Sequence, residues 1–323
     1  MFERMARGWE LMKQSWHVLR FDKELLLFPI FSSIACLLVV ASFALPLIVS
    51  PTVRDAVLAG PRLEQQEQEE TFENPGQNPG IRNREDGQRF EFSAQQIVPV
   101  IVSFAFYLAT SFVIVFFNTA LACCALVRFS GGNPTLGDGL RAARARLPQI
   151  LGWVLLTATV GTILKQIEDR VPLVGKFVVG LIGMAWAAVT FLVVPILAAE
   201  KLGPIAAVKR SAGLLRKTWG EALVGQLSLG AVQFVFTLPV ILALVVAGYI
   251  SAATESIWPI AVVGVVAVLF FILLSIVFST LQQIFLAAVY QYAAQGTVPA
   301  GFSRDLIESA FRPKERSRWP AGA

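Results

Sequence analysis

The 27 Lys and Arg and the 22 Asp and Glu residues of this chain fall into seven blocks. Between the blocks lie six stretches with no ionised side chain: Leu25–Val53, Phe92–Val127, Leu147–Leu164, Phe177–Ala199, Ala222–Thr254 and Ser256–Ser303. A helix crosses the hydrocarbon of a bilayer with about 20 apolar residues, and each of these stretches can supply roughly that number. A charge at mid-bilayer costs about 3 kcal/mol or more, so sequence gaps between charges of this length read as lipid crossings. The pattern predicts an all-α, polytopic membrane protein with six transmembrane helices.

Composition narrows what else the chain can hold. Hydrophobic residues make up 55% of it and charged residues 15%, well under the quarter or so usual in soluble domains. Mean hydropathy is +0.65. The longest polar block is Pro51–Glu91, too short and too polar for a soluble catalytic domain. The net charge of +5 does not indicate nucleic acid, because the cations flank the apolar stretches. Residues 1–24, 128–146, 200–221 and the C-terminal block together hold 19 basic residues, against 8 in the intervening loops. By the positive-inside rule this excess places both termini in the cytoplasm, in a multi-pass protein of the cell membrane. The first apolar run is about twice the length of a signal h-region and follows a long polar block, so it is expected to remain as an anchor.

The blocks themselves have structure. In residues 2–20, Phe2, Met5, Trp9, Met12, Trp16 and Leu19 recur at alternating steps of three and four, with Arg4, Arg7, Lys13, His17 and Arg20 on other faces. That periodicity predicts an amphipathic helix lying in the headgroup region. Two more amphipathic elements are expected at Leu136–Leu147, after the Gly131-Gly132 and Pro134 break, and at Ile205–Trp219, after Gly203-Pro204. The domain organisation is then an N-terminal amphipathic helix (1–24), a six-span membrane domain (25–295) and a basic cytoplasmic tail (296–323). The Gln-, Glu-, Asn-, Gly- and Pro-rich loop 51–91 cannot bury enough apolar surface to order itself. Spans are expected near 25–49, 97–127, 148–166, 173–199, 222–250 and 257–293, with kinks at Pro195 and Pro239.

Two of the cytoplasmic helices share a pattern. Leu11-Met12-Lys13-Gln14-Ser15-Trp16 matches Leu214-Leu215-Arg216-Lys217-Thr218-Trp219 position by position, and each hexamer ends an amphipathic helix ahead of a span. Leu140-Arg141-Ala142-Ala143 aligns more loosely with Val208-Lys209-Arg210-Ser211. The chain thus reads as three units, each an interfacial helix followed by a two-span hairpin, which are parallel repeats because each holds an even number of spans.

The segments “ERMARGWELMKQSW…DKELLLFP”, “GGNPTLGDGLRAARARLPQILGWVLLTATVG” and “FLVVPILAAEKLGPIAAVKRSAGLLRKTWGE” resemble a prokaryotic family of integral membrane proteins, the domain of unknown function 6159. The resemblance covers most of the chain apart from 51–91 and the tail. The “KRSxxLLRKTW” piece is also similar to the membrane portion of some glycerophosphodiester phosphodiesterases. What the resemblance implies is six spans; it carries no catalytic residues with it.

No catalytic constellation stands out. His17 is the single histidine, and Cys36, Cys123 and Cys124 lie within apolar stretches as packing residues, so neither a metal nor another cofactor is expected. The spans lack paired carboxylates and phosphate-binding Gly-rich loops. Two sets of polar residues remain. The cations Arg141, Arg144, Arg146, Lys209, Arg210, Arg216 and Lys217 could gather to hold anionic lipid headgroups, or could serve topology alone. The amides Asn118, Gln226, Gln233, Gln282 and Gln283, with Gln291 beyond, could line a polar path through the membrane, or could bond helix to helix. The expected function is a non-enzymatic scaffold or accessory protein that binds lipid or protein partners, a second copy of itself included. The alternative is a transporter or channel for a small or amphipathic solute.

Overall fold

A computed structural model describes residues 2–49, 94–217, 221–299 and 301–302, and every structural statement below concerns these. The loop expected at 51–91 and the tail beyond residue 302 lie outside them. Among the described residues the chain is helical and without strands: α1 (Phe2–Phe21), a 3-10 turn (Lys23–Leu26), α2 (Leu27–Val49), α3 (Ala94–Phe129), α4 (Leu136–Arg144), α5 (Leu147–Arg170), α6 (Leu173–Val189), α7 (Val193–Ala199), α8 (Pro204–Lys217), α9 (Glu221–Ala253) and α10 (Trp258–Gln295). Six segments are long and apolar enough to cross a bilayer, and each overlaps one of the six uncharged stretches. This is a multi-pass membrane protein.

Local chemistry sets the boundaries. Gly131 sits at φ 85°, a left-handed position that ends α3 at little cost only without a Cβ. Thr135 then caps α4. The Asp138 N–H donates to Thr135 Oγ1 (3.3 Å) and the Thr135 N–H to Asp138 Oδ2 (3.2 Å), a reciprocal capping box. Gly296, at φ 70°, closes α10 by donating its N–H to the Tyr292 carbonyl at 2.8 Å.

One span differs from its expected form. The stretch 173–199 is two helices, α6 and α7, interrupted at Thr190–Leu192 rather than bent at Pro195. Pro195 lies in the first turn of α7, where its missing N–H is harmless; in a helix continuous from one turn earlier its ring would clash with the carbonyl of residue 191. The Leu192 N–H exposed by the break is taken up by Ser211 Oγ of α8 at 3.1 Å. Pro239 lies inside α9, which continues unbroken from Glu221 to Ala253.

The chain divides into two compact units, residues 34–113 and the remainder. In the smaller unit, α2 and α3 meet through an edge-to-face pair, Phe43 and Phe106, with centroids 5.5 Å apart. Leu37, Leu38 and Ile48 of α2 are exposed.

In the larger unit the core gathers at the helix ends that adjoin the basic blocks. Trp153, Leu192, Ile196, Leu214, Leu229 and Phe285 pack together there, and Ala122, Cys123 and Ala198 form a second cluster. The contrast is sharpest along α10. At 38 residues it is about 57 Å long, nearly twice the hydrocarbon thickness. Val262, Val265, Leu269 and Leu273 in its first half are exposed, whereas Leu281 and every residue from Ile284 to Gln291 are buried. An apolar surface as extensive as that of the first half suits lipid, not water.

Helices α1, α4 and α8 are the walls of this core. Each seats on the hairpin of the unit before it, and α1, which has none before it, seats on the last. In α4, a Cβ placed on Gly139 would lie 2.6 Å from Cys124 Sγ, 2.7 Å from Phe28 Cζ and 3.0 Å from the Ala120 carbonyl oxygen, so α4 packs backbone-close on α2 and α3. Helix α8 packs on α5, α6, α7 and α10. Helix α1 packs on α9 and α10. In the register that pairs Leu140 with Val208, Gly139 pairs with Ala207 and Ala143 with Ser211, and all four are buried. Small residues at matched positions give both helices the same close approach, which supports the repeat.

The α1 stripe divides in a way that periodicity did not indicate. Ser15, Val18 and Leu19 are buried and Met12 is half-buried, while Trp16 is 44% exposed. The side chains of Phe2, Met5 and Trp9 lie outside the described residues. Packing against α9 and α10 selects a face turned toward Ser15, because a small residue admits the neighbouring helix and a Trp does not.

Candidate functional site

The seven cations singled out in the sequence divide by what holds them. Arg141 projects from α4 with 83% of its side chain exposed, touching only Asp138 at 3.3 Å among the contacts seen. Arg144, Lys209 and Arg216 are also exposed. Arg146 is half-buried and donates from Nη1 to the Ala142 carbonyl at 3.0 Å, capping the end of α4. Arg210 is engaged too: its Nε donates to Glu200 Oε1 at 3.1 Å, and the Tyr290 hydroxyl donates to the same oxygen at 2.9 Å. That carboxylate ties α8 to the buried half of α10. The side chain of Lys217 lies outside the described residues. Four of the seven are therefore exposed on α4 and α8, and two are engaged within the fold.

A second ionic site locks α1 to α3. Arg128 Nε stands 2.8 Å from Asp22 Oδ2, close in distance though not aligned for a hydrogen bond. Its Nη1 donates to the Gly132 carbonyl at 3.3 Å and to Asn133 Oδ1 at 3.1 Å. Burial raises the Asp22 carboxyl above the usual carboxylate range, and Arg128 opposes part of that rise. Glu24 Oε2 accepts from the Leu136 N–H at 3.1 Å, setting a negative charge at the N-terminus of α4. Hydrogen bonds from the Thr135 hydroxyl and N–H hold Asp138 below its ordinary value. Sequence reading missed the roles of Asp22, Glu24 and Glu200, since their partners lie far along the chain. The signal available was that each stands just before or after an apolar stretch.

Of the amides, Asn118, Gln233, Gln282 and Gln283 are half-buried, and the side chain of Gln226 lies outside the described residues. Gln283 Oε1 and Gln291 Oε1 on α10 are buried without a hydrogen-bond partner. The cysteine thiols act as weak donors between elements: Cys123 Sγ to the Ala198 carbonyl and Cys124 Sγ to the Thr135 carbonyl, each at 3.6 Å.

One groove among the described residues is apolar. It holds about 470 Å³ between α1, α9 and α10 and is lined by Met12, Trp16, Phe236, Phe270, Leu274 and Val277, with Lys13 at its edge. None of the described amides lines it.

The sequence profile of a family of unknown function, DUF6159, matches residues 97–302, and the chain belongs to that family. The match takes in both α4 and α8 with their exposed cations. No curated protein and no solved structure matches the chain.

Proposed function

We propose that this is a non-enzymatic protein of the cell membrane, with both termini cytoplasmic, whose basic helices hold anionic lipid headgroups. The observation that carries the reading is the division among the cations. Arg141, Arg144, Lys209 and Arg216 stand exposed on two amphipathic helices that border the apolar surface, while Arg146, Arg210 and Arg128 are engaged within the fold. An anionic leaflet rewards each such cation by about 1 kcal/mol, so four supply roughly 4 kcal/mol, a thousandfold in lipid occupancy. The cytoplasmic orientation follows from the excess of cations at that end.

Native mass spectrometry of the full chain in mild detergent, titrated with phosphatidylglycerol, tests this. Replacing the four cations with Gln is expected to strip the retained anionic lipid while leaving the melting midpoint unchanged. Retention equal to that of the parent protein would remove the basis of the reading.

A transporter or channel is the second reading, favoured by the two orphaned amide oxygens of Gln283 and Gln291. A buried oxygen without a partner calls for an explanation, and a bound polar solute or water file is one. Gln283→Leu decides between this and a packing role, since loss of flux through proteoliposomes at unchanged stability supports transport.

A further inference from the structure

We propose that the groove between α1 and the hairpin α9–α10 is a binding site for a single phospholipid, with an acyl chain along α10 and the headgroup phosphate at Lys13. This goes beyond the headgroup surface of α4 and α8 and shares with it only the placement of the chain in a bilayer.

The volume of about 470 Å³ falls within the ~300–1,000 Å³ of small-molecule sites. Its walls are aromatic and aliphatic, with Phe270, Leu274 and Val277 from α10 and Met12 and Trp16 from α1. The groove is continuous with lipid-facing surface. Leu273, one of its walls, is 61% exposed, and the neighbouring Leu269 and Ile272 are exposed beside it. A hydrocarbon chain therefore enters from the side without crossing a polar barrier.

Charge is confined to one end. Lys13 is the one charged residue among the described lining residues, and its side chain is 54% exposed. Trp16, one turn of α1 away, supplies the amphipathic ring typical of the headgroup level. Charge complementarity thus names an occupant with one long apolar arm and an anionic group at its head. Lys13 Nζ also lies 2.9 Å from Glu10 Oε1, so the cation arrives with a carboxylate beside it. A zwitterionic headgroup fits this pair best, its phosphate on Lys13 and its ammonium on Glu10.

The test uses the full chain in proteoliposomes containing a phosphatidylethanolamine with a diazirine in its acyl chain, irradiated and mapped by peptide mass spectrometry. Adducts are expected to concentrate on Leu274 and Val277, above the level at the open lipid-facing residues Val245 and Leu269. Val277→Trp, which fills the groove, is expected to lower labelling at Leu274 about tenfold and to leave Val245 unchanged. Lys13→Glu, a change at an exposed position with its melting midpoint measured alongside, is expected to lower it several-fold. Equal labelling at groove and open sites, or labelling indifferent to both substitutions, would show lipid merely wetting the surface and would overturn the proposal. Cross-links from the groove to a second copy or to residues 303–323 would overturn it as well. Failure of these outcomes with Val245 and Leu269 still labelled would leave the bilayer placement standing.

Discussion

Replacing Gly139 with Ala adds one methyl group where α4 lies against α2 and α3. The new Cβ would meet Cys124 Sγ at 2.6 Å, Phe28 Cζ at 2.7 Å and the Ala120 carbonyl oxygen at 3.0 Å. Ordinary contacts begin near 3.4 Å, so α4 must withdraw by several tenths of an ångström or two buried side chains must turn. Phe28 is 1% exposed and Cys124 2%, so neither has free space to turn into. Overpacking of this kind costs about 1–3 kcal/mol, against a helix-propensity gain of under 1 kcal/mol for Gly to Ala. The net expectation is a loss of up to ~2 kcal/mol. Gly137→Ala, in the same helix, is the control. Its Cβ would find only Thr135 Oγ1, at 3.8 Å, so it should hold or gain stability. The assay is thermal unfolding of the two purified variants in one detergent, read by the loss of the monodisperse peak. Cys124→Ala combined with Gly139→Ala should recover part of the loss, because it removes the closest atom while the Ala120 carbonyl stays. If both glycine variants melt alike, α4 does not approach α2 and α3 as described, and the account of the small-residue seats is wrong.

Three further outcomes follow from the geometry. Glu200→Gln removes the charge shared by the Tyr290 hydroxyl and Arg210 Nε and should cost about 1–3 kcal/mol, with a double-mutant cycle against Tyr290→Phe showing coupling. Because burial raises the Asp22 pKa in the folded chain, the proton is bound more tightly in the fold than in the unfolded state. Its contribution is therefore fully present below the ordinary carboxylate value and lost as pH rises through the folded value. Asp22→Asn should flatten that slope in melting midpoints taken between mildly acidic and neutral pH, and an unaltered slope would contradict the assignment. Gln283→Leu removes a buried, unpaired oxygen and should leave stability unchanged or raised, measured by the same unfolding assay.

The spans were legible because hydrocarbon excludes charge at any point along a crossing, so a one-dimensional gap carries the information. Helix existence at Phe2–Phe21, Leu136–Arg144 and Pro204–Lys217 was legible for a similar reason, since 3.6-residue periodicity is local. Which face of α1 is buried was not. Hydropathy favoured Met12 and Trp16, yet the neighbouring helix selected Ser15, because close approach rewards small volume. The break at Thr190–Leu192 was misplaced by a few residues: Pro195 signals an interruption, but the hydroxyl of Ser211 that satisfies the freed Leu192 amide comes from another helix.

The amino-acid order alone determined a six-crossing helical membrane protein, the positions of its amphipathic segments and the asymmetry of its cations. Tertiary structure alone decided which cations are drawn into contacts with distant elements. Arg141 and Arg210 read alike as basic residues on amphipathic helices, yet one stands 83% exposed and the other neutralises Glu200 beside Tyr290. A carboxylate and a phenol from elements some ninety residues apart meet at that point only after the helices have packed, and pairing across such a distance leaves no periodic trace in a sequence.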